Sequence, residues 1–363
     1  MIGRWGFYRV VCCAVGLATA IVLLVGDAAQ AQARRAPPTG FRRLAPGVET
    51  TIPAKVDPHD TVTYHNIVEL LAPSVVADLG WTPNFISSTK TLRALSTNRD
   101  FRSTTWYLQF IFKPLRVIQV DLPSAGGRLQ RKTVWYMVYR VKNVGGHLKP
   151  VEKPAAEGSL PAAPEVQAVD DLGVPIHFFP KFTMEAEIEG VKQVYLDKII
   201  PLAVDAIRKR EDPNRPLLNS VEMGVQAVKL STATQDNSIW GVATWVDVDP
   251  RIDFFSIYVT GLTNAYRWTD PQNGFKAGDT PATGRQYTYK TLQLNFWRPG
   301  DEFGINEDQI YMGSPADKVN KPADPDNPDS AGPAAAAAAA PKGSASSYQR
   351  NWDKIIDYRW VFR

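Results

Sequence analysis

The sequence has little of the side chains on which most enzyme chemistry depends. Its 363 residues include only two cysteines and four histidines. No two histidines have the His-Glu-x-x-His spacing that places zinc ligands on one helix face. Gly-x-Ser-x-Gly, P-loop and Gly-x-Gly-x-x-Gly patterns are missing too, which removes the usual signatures of acyl transfer and phosphate binding. We therefore expect each histidine to be a loop or surface residue.

The sequence also has no large excess of positive or negative charge. Lys and Arg together number 41 and Asp and Glu 37, so the formal net charge is only +4. The densest basic run, Arg208–Arg210, directly precedes Glu211 and Asp212. It suits the end of a helix, where cations interact favourably with the helix dipole. Because a nucleic-acid-binding protein needs a clustered basic face, nucleic acid is not predicted as a partner.

The first 31 residues have the three parts of a secretory signal peptide. Two arginines precede an uncharged apolar stretch, Val10–Gly26, and Ala29-Gln30-Ala31 has the small-x-small form of a cleavage site. We therefore expect residues 1–31 to be a cleaved signal peptide, with cleavage after Ala33 as the alternative. The other interpretation is an uncleaved N-terminal membrane anchor, although the stretch is shorter than the roughly 20 apolar residues that a spanning helix needs.

The two cysteines, Cys12 and Cys13, both lie inside this apolar stretch. Export would remove them, and the mature chain would then have no disulfide, no thiol nucleophile and no thiolate metal site. Its stability would depend on core burial alone, which favours a sizeable folded body. We expect an extracytoplasmic protein, periplasmic or secreted, with no membrane span after signal cleavage.

The rest of the chain divides by composition and periodicity. Residues 32–100 are predicted to be an extended N-terminal segment with a short helix, and residues 101–315 a β-sandwich. Residues 316–347 contain seven consecutive alanines between prolines and are predicted to be a linker or surface loop. In residues 348–363, rings at alternate positions predict a C-terminal strand that returns to the sandwich.

Period-two alternation within the predicted sandwich indicates several strands. Thr133–Lys142 is apolar on both faces, so we expect it to be the central strand of a sheet. One helix is predicted to begin at Pro201 and to end in the basic run. Further strands are predicted at Val221–Leu230, Ile239–Val248, Ile252–Thr260 and Tyr287–Trp297.

Four segments of the sequence are similar to those of a known protein family: Val134–Gly146, Phe179–Phe182, Trp240–Pro250 and Gly261–Tyr266. Together they resemble a family of exported bacterial proteins to which no function is assigned. The Val-Lys-Asn-x-Gly-Gly end of the first run is similar to a strand and turn found in immunoglobulin-like modules of bacterial envelope proteins. The resemblance implies a mainly β chain, an immunoglobulin-like antiparallel β-sandwich with one or two short helices. It implies no catalytic residue.

Three acidic residues, Asp247, Asp249 and Asp253, cluster around a predicted hairpin turn. Their carboxylates could supply oxygen ligands to a Ca²⁺ ion. The alternative is that Asp simply favours turns, here beside Pro250, and we prefer it. No other metal ligand, no cofactor and no catalytic residue is assigned.

Aromatic residues provide the other candidate site. We expect most of them to be core residues, because they alternate with apolar neighbours. Tyr266 and Trp268 are the best candidates for exposure, since they follow the turn at Gly261–Asn264. Exposed rings could stack on a sugar or contact a partner protein. The full set considered is Trp240, Trp245, Tyr258, Tyr266, Trp268 and Trp297.

Three functions are compatible with these observations. The preferred one is an exported, non-catalytic envelope or extracellular protein that binds or scaffolds an envelope protein or a polysaccharide. The alternatives are a carbohydrate-binding module that uses exposed aromatics and a hydrolase with a carboxylate site. A flat aromatic strip would favour sugar binding, and a cleft with convergent carboxylates would favour the enzyme.

We predict that the exported protein begins at Gln32 or Arg34 and contains no cysteine, because signal peptidase removes both thiols with the apolar stretch. Intact mass spectrometry of exported material checks this. A mass that includes residues 1–26 would show that the segment is kept as a membrane anchor.

Overall fold

A computed structural model describes residues 40–63, 101–124, 126–151, 164–269, 284–299, 307–316 and 355–363. The predicted signal peptide and the alanine run lie outside the described residues. So do most of the predicted extended segment and most of the predicted linker.

The described residues form mainly strands, and the expectation of a mainly β chain with antiparallel sheets is confirmed. The described part of the chain has two α-helices, α1 (Pro201–Glu211) and α2 (Ser220–Val225), and 3-10 helices at Pro58–Thr61 and Glu307–Gln309. The strands are β1 (Thr50–Ile52), β2 (Val62–Thr63), β3 (Phe101–Arg102), β4 (Gln109–Phe112), β5 (Arg116–Pro123), β6 (Leu129–Lys142), β7 (His147–Val151), β8 (Glu165–Val169), β9 (Lys181–Ile188), β10 (Val191–Leu196), β11 (Ile239–Val246), β12 (Phe254–Thr260), β13 (Tyr266–Thr269), β14 (Gln286–Trp297), β15 (Tyr311–Met312), β16 (Ser314–Pro315), β17 (Ile355–Ile356) and β18 (Tyr358–Phe362).

The strands build two main antiparallel sheets. The first has the order β1-β4-β6-β11, and β5 also pairs with β6. The second has the order β10-β9-β12-β14-β13, and β15 and β18 also pair with β14. Three two-stranded sheets, β2 with β3, β7 with β8 and β16 with β17, complete the described strands.

Strand β6 is central in the first sheet. It pairs with β11 along one edge and with β4 and β5 along the other. Both of its faces are buried: Trp135 and Tyr139 belong to one hydrophobic cluster, and Val134 and Tyr136 belong to a second. The prediction of a central strand here is confirmed.

The first cluster lies between the two sheets. The ring of Tyr139 is 4.8 Å from the ring of Phe182 on β9, and Trp135 is 5.8 Å from Phe255 on β12. The two sheets therefore face each other across a shared aromatic core. Removing one such buried ring typically costs about 3 to 5 kcal/mol of stability.

Helix α1 covers the opposite face of the first sheet. It begins at Pro201 as predicted, and its Ala203 and Ile207 are buried in the second cluster. Its last residue, Glu211, accepts hydrogen bonds from Lys113 at 3.1 Å, Arg116 at 2.8 Å and the Tyr136 hydroxyl at 3.0 Å. These contacts anchor the end of the helix on the sheet.

One predicted strand is wrong. Ser220–Val225, at the start of the predicted strand Val221–Leu230, is helix α2. The side chain of its N-cap, Asn219, accepts hydrogen bonds from the backbone of the first turn, and the Glu222 carboxylate accepts one from the backbone N–H of Asn219. This reciprocal capping box stabilises a helix start more than the two valines favour a strand.

The predicted hairpin around Pro250 is also wrong, although the chain does turn at Pro250 and Arg251. Strand β11 before the turn belongs to the first sheet, and β12 after it belongs to the second. The segment thus crosses between sheets, and Val248 and Ile252 are buried in the shared core on the way.

Strand β18 lies in the second sheet beside β14. Its Tyr358 and Trp360 are opposite Leu294 and Leu292, and both rings pack against the shared core.

We predict that Tyr139→Asp unfolds the protein, at a cost above about 4 kcal/mol, because it places an unpaired charge between the sheets. Tyr139→Phe is the matched control. The Tyr139 hydroxyl has no hydrogen-bond partner, so its removal should change the free energy of unfolding by less than about 1 kcal/mol. Urea and thermal unfolding measure both, and a Tyr139→Asp variant with the wild-type midpoint would contradict the central position of β6.

Candidate functional site

The structure does not gather the three candidate aspartates into a metal-binding group. Asp247 accepts a hydrogen bond from Lys132 at 2.8 Å, and Asp249 accepts one from Arg251 at 2.9 Å. Within the part of the chain that is described, no group of three or more His, Cys, Asp or Glu residues is placed to hold a metal ion. Hydrogen bonds that Arg251 donates from its side chain and backbone lower the pKa of Asp249, so this carboxylate stays ionised and bound to Arg251.

The aromatic candidates separate into buried and accessible rings. Trp245, Tyr258 and Trp297 are buried, as expected for core residues. Trp240 is half-buried, and the Arg215 guanidinium lies 4.0 Å from its ring centre.

Tyr266 and Trp268 lie on β13, next to β14 in the second sheet. Tyr266 is opposite Tyr289, and Trp268 is opposite Tyr287. Opposed residues in an antiparallel pair project to the same side, and so do residues two apart on one strand. These four rings therefore share one side of the sheet, which we call the four-ring face.

The four-ring face is partly open to solvent. Tyr287 is 44% exposed and Tyr289 49%, while Tyr266 and Trp268 are half-buried. The Tyr266 and Tyr287 ring centres are 6.0 Å apart. The Arg285 guanidinium lies 3.5 Å from the Trp268 ring centre. The two tyrosines of β14 were not among the candidates from the sequence, although their alternation in the predicted strand Tyr287–Trp297 indicated a shared side.

Beyond these rings, the same side of β14 carries polar side chains. Its next three residues on that side, Thr291, Gln293 and Asn295, are buried and polar. The Gln293 amide donates a hydrogen bond to Asn295 at 2.9 Å and accepts one from Arg359 at 2.7 Å. These hydrogen bonds replace those that the buried amides would otherwise make with water, and so offset the cost of lost hydration.

Glu185 on β9 extends these polar residues across the sheet. It binds Arg363 at 2.5 Å and Lys192 at 2.9 Å, and the Arg363 guanidinium lies 3.9 Å from the Tyr258 ring centre. Burial opposes ionisation of Glu185, but the hydrogen bonds from the two cations outweigh it, so its pKa is lowered. Glu185 is thus a buried carboxylate held by two cations. The polar layer comprises Glu185, Thr291, Gln293, Asn295, Arg359 and Arg363.

A buried ionic cluster lies on the opposite side of β14. Lys290 forms an ion pair with Asp60, and the Tyr107 hydroxyl donates to the same carboxylate at 3.0 Å. Burial lowers the pKa of Lys290 and raises that of Tyr107. His147 is fully buried and accepts a hydrogen bond from the Tyr107 backbone at 3.3 Å, so its expected surface position is wrong. The cluster joins segments far apart in sequence, which no local pattern indicates.

Comparisons with known proteins find no matching family model, no matching curated protein and no matching solved structure. Among the described residues, no helix is long and apolar enough to cross a membrane.

We predict that acid destabilises the protein partly through Glu185. A carboxylate whose pKa is lowered by folding contributes stability above its unfolded pKa and loses it as the pH falls through the folded pKa. Glu185→Gln should therefore lower the thermal midpoint at neutral pH and flatten its acidic decline. The matched control is Glu187→Gln, an exposed carboxylate on the same strand. Equal pH profiles for Glu185→Gln and the wild type would contradict the assignment.

Proposed function

We propose that the chain is an exported, non-catalytic binding protein of the envelope or extracellular space, and that its four-ring face binds a polysaccharide. The proposal rests on one observation: four rings lie on one side of β13 and β14, those of Tyr266, Trp268, Tyr287 and Tyr289. Export rests on the signal-peptide pattern of the first 31 residues.

A polysaccharide fits the chemistry of this face. A sugar ring has an apolar face of C–H groups and a rim of hydroxyls, and an aromatic ring with a polar atom matches both. Tyr and Trp are the side chains that combine a large apolar body with a hydrogen-bonding group. A row of rings on a sheet surface suits an extended chain of sugars better than a small ligand, which prefers an enclosed pocket.

The hydrolase alternative has weaker support. It needs two carboxylates that converge on a substrate, one of them available as an acid. Asp249 and Glu185 are instead engaged by arginine or lysine, and the pKa of each is lowered. Burial raises the pKa of Asp197, but its carboxylate is held by the Ser220 hydroxyl and the Thr244 backbone. Burial also raises the pKa of Asp357, which is paired with Arg42.

A protein partner is the second candidate occupant of the face. Aromatic side chains are enriched in the centres of protein interfaces, so the same rings would also serve a scaffold. We further propose that the two facing sheets belong to an immunoglobulin-like sandwich, which agrees with the resemblance of the run at Val134–Gly146 to such modules.

Binding to a panel of neutral and acidic soluble polysaccharides, by affinity electrophoresis and then calorimetry, tests the proposal. We expect at least one polysaccharide to bind, and Tyr287→Ala with Tyr289→Ala to weaken it roughly ten-fold or more, about 1.4 kcal/mol. The matched control is Phe179→Ala, which removes a ring that is 69% exposed elsewhere. No binding to any polysaccharide, or equal loss in the control, would contradict the proposal.

A further inference from the structure

Strand β10 is the terminal strand of the second sheet. Its six residues pair with β9 along one edge, and within the described residues no strand pairs with the other edge. Val191, Val194 and Leu196 are exposed, and the exposed fraction of Val194 is 49%. Such an edge presents unpaired backbone donors and acceptors to any further strand.

The strand has few of the features that usually prevent pairing at an edge. Natural edge strands are protected by proline, by a β-bulge or by outward charges. β10 contains no proline, and its register with β9 is uninterrupted from Val191 to Leu196. Its one charged residue, Lys192, is held at 2.9 Å by Glu185 on the neighbouring strand.

An open groove runs beside this edge. Its volume is about 620 Å³, and it is lined by Gln193 and Tyr195 of β10 and by residues 247–251. The groove lies on the core-facing side of the strand, where Tyr195 packs against the shared core and its hydroxyl accepts a hydrogen bond from the Asp249 backbone at 3.2 Å. Side chains of an added strand would thus have space on this side.

We propose that β10 is a homodimer interface, at which two copies of the chain pair their β10 strands antiparallel about a two-fold axis. A strand is its own complement in this arrangement, as a two-fold interface requires. If Val194 lies on the axis, Lys192 faces Leu196 of the partner subunit and Gln193 faces Tyr195 of the partner subunit. No like charges then oppose each other, and the exposed valine and leucine are covered.

The dimer would join the second sheets of both copies into one continuous sheet. Seven strand spacings of about 4.8 Å would separate the two β14 strands, roughly 34 Å, with both four-ring faces on the same side. If the proposed function holds, this spacing allows one polysaccharide chain to engage both faces and gains affinity by avidity. The dimer itself does not depend on that function.

Sedimentation velocity of the exported protein over a range of concentrations tests the interface without any ligand. We expect a concentration-dependent dimer that Val194→Lys converts to a monomer. Val225→Lys is the matched control, an exposed valine on α2, and it should dimerise as the wild type does. A wild type that stays monomeric, or a Val194→Lys variant that dimerises equally, would overturn the proposal.

A cross-linking variant checks the register. Residues opposed across antiparallel strands have Cα atoms about 4.5 to 5.5 Å apart, within the range that a disulfide spans. The only native cysteines are Cys12 and Cys13 in the predicted signal peptide. Val194→Cys should therefore form a disulfide-linked dimer on mild oxidation, and Val225→Cys should not. Equal cross-linking of the two variants would contradict the pairing.

Discussion

The architecture depends on one constraint: strand β6 is apolar on both faces, and each face must be covered. Trp135 and Tyr139 can leave water only if a second sheet packs against them, and Val134 and Tyr136 only if α1 covers the other side. Because Cys12 and Cys13 are the only cysteines, no disulfide can supplement this burial in the described residues. The layered arrangement of sheet, sheet and helix is the direct result.

The second sheet is covered differently on its two sides. Its core-facing side meets β6, but its outer side has no helix among the described residues. There β14 carries Tyr287 and Tyr289 near its start, the hydrogen-bonded pair Gln293 and Asn295 in its middle, and the buried ring of Trp297 at its end. Gln293 and Asn295 satisfy each other, and Arg363 reaches from beyond β18 to Glu185 on β9. One strand thus carries a structural polar layer and a candidate binding surface on the same side.

Local sequence patterns predicted individual strands and helices better than they predicted which residues pair across the sheets. The two apolar faces of β6 and the proline at the start of α1 are short-range signals, and both elements are where they were predicted. Helix α2 was missed because its valines suggested a strand while the capping box at Asn219 and Glu222 decided the outcome. The pairing of Lys290 with Asp60, and of Tyr266 with Tyr289, depends on sheet register across long separations, which periodicity alone does not contain.

We propose that the outer side of β13 and β14 is a binding surface. Hydrogen–deuterium exchange with and without a bound polysaccharide tests it most directly, because it locates the contact without altering the chain. We expect slower exchange in peptides that cover residues 266–269 and 286–289, and unchanged exchange around Phe179. Protection confined to other segments, with β13 and the start of β14 unchanged, would contradict it.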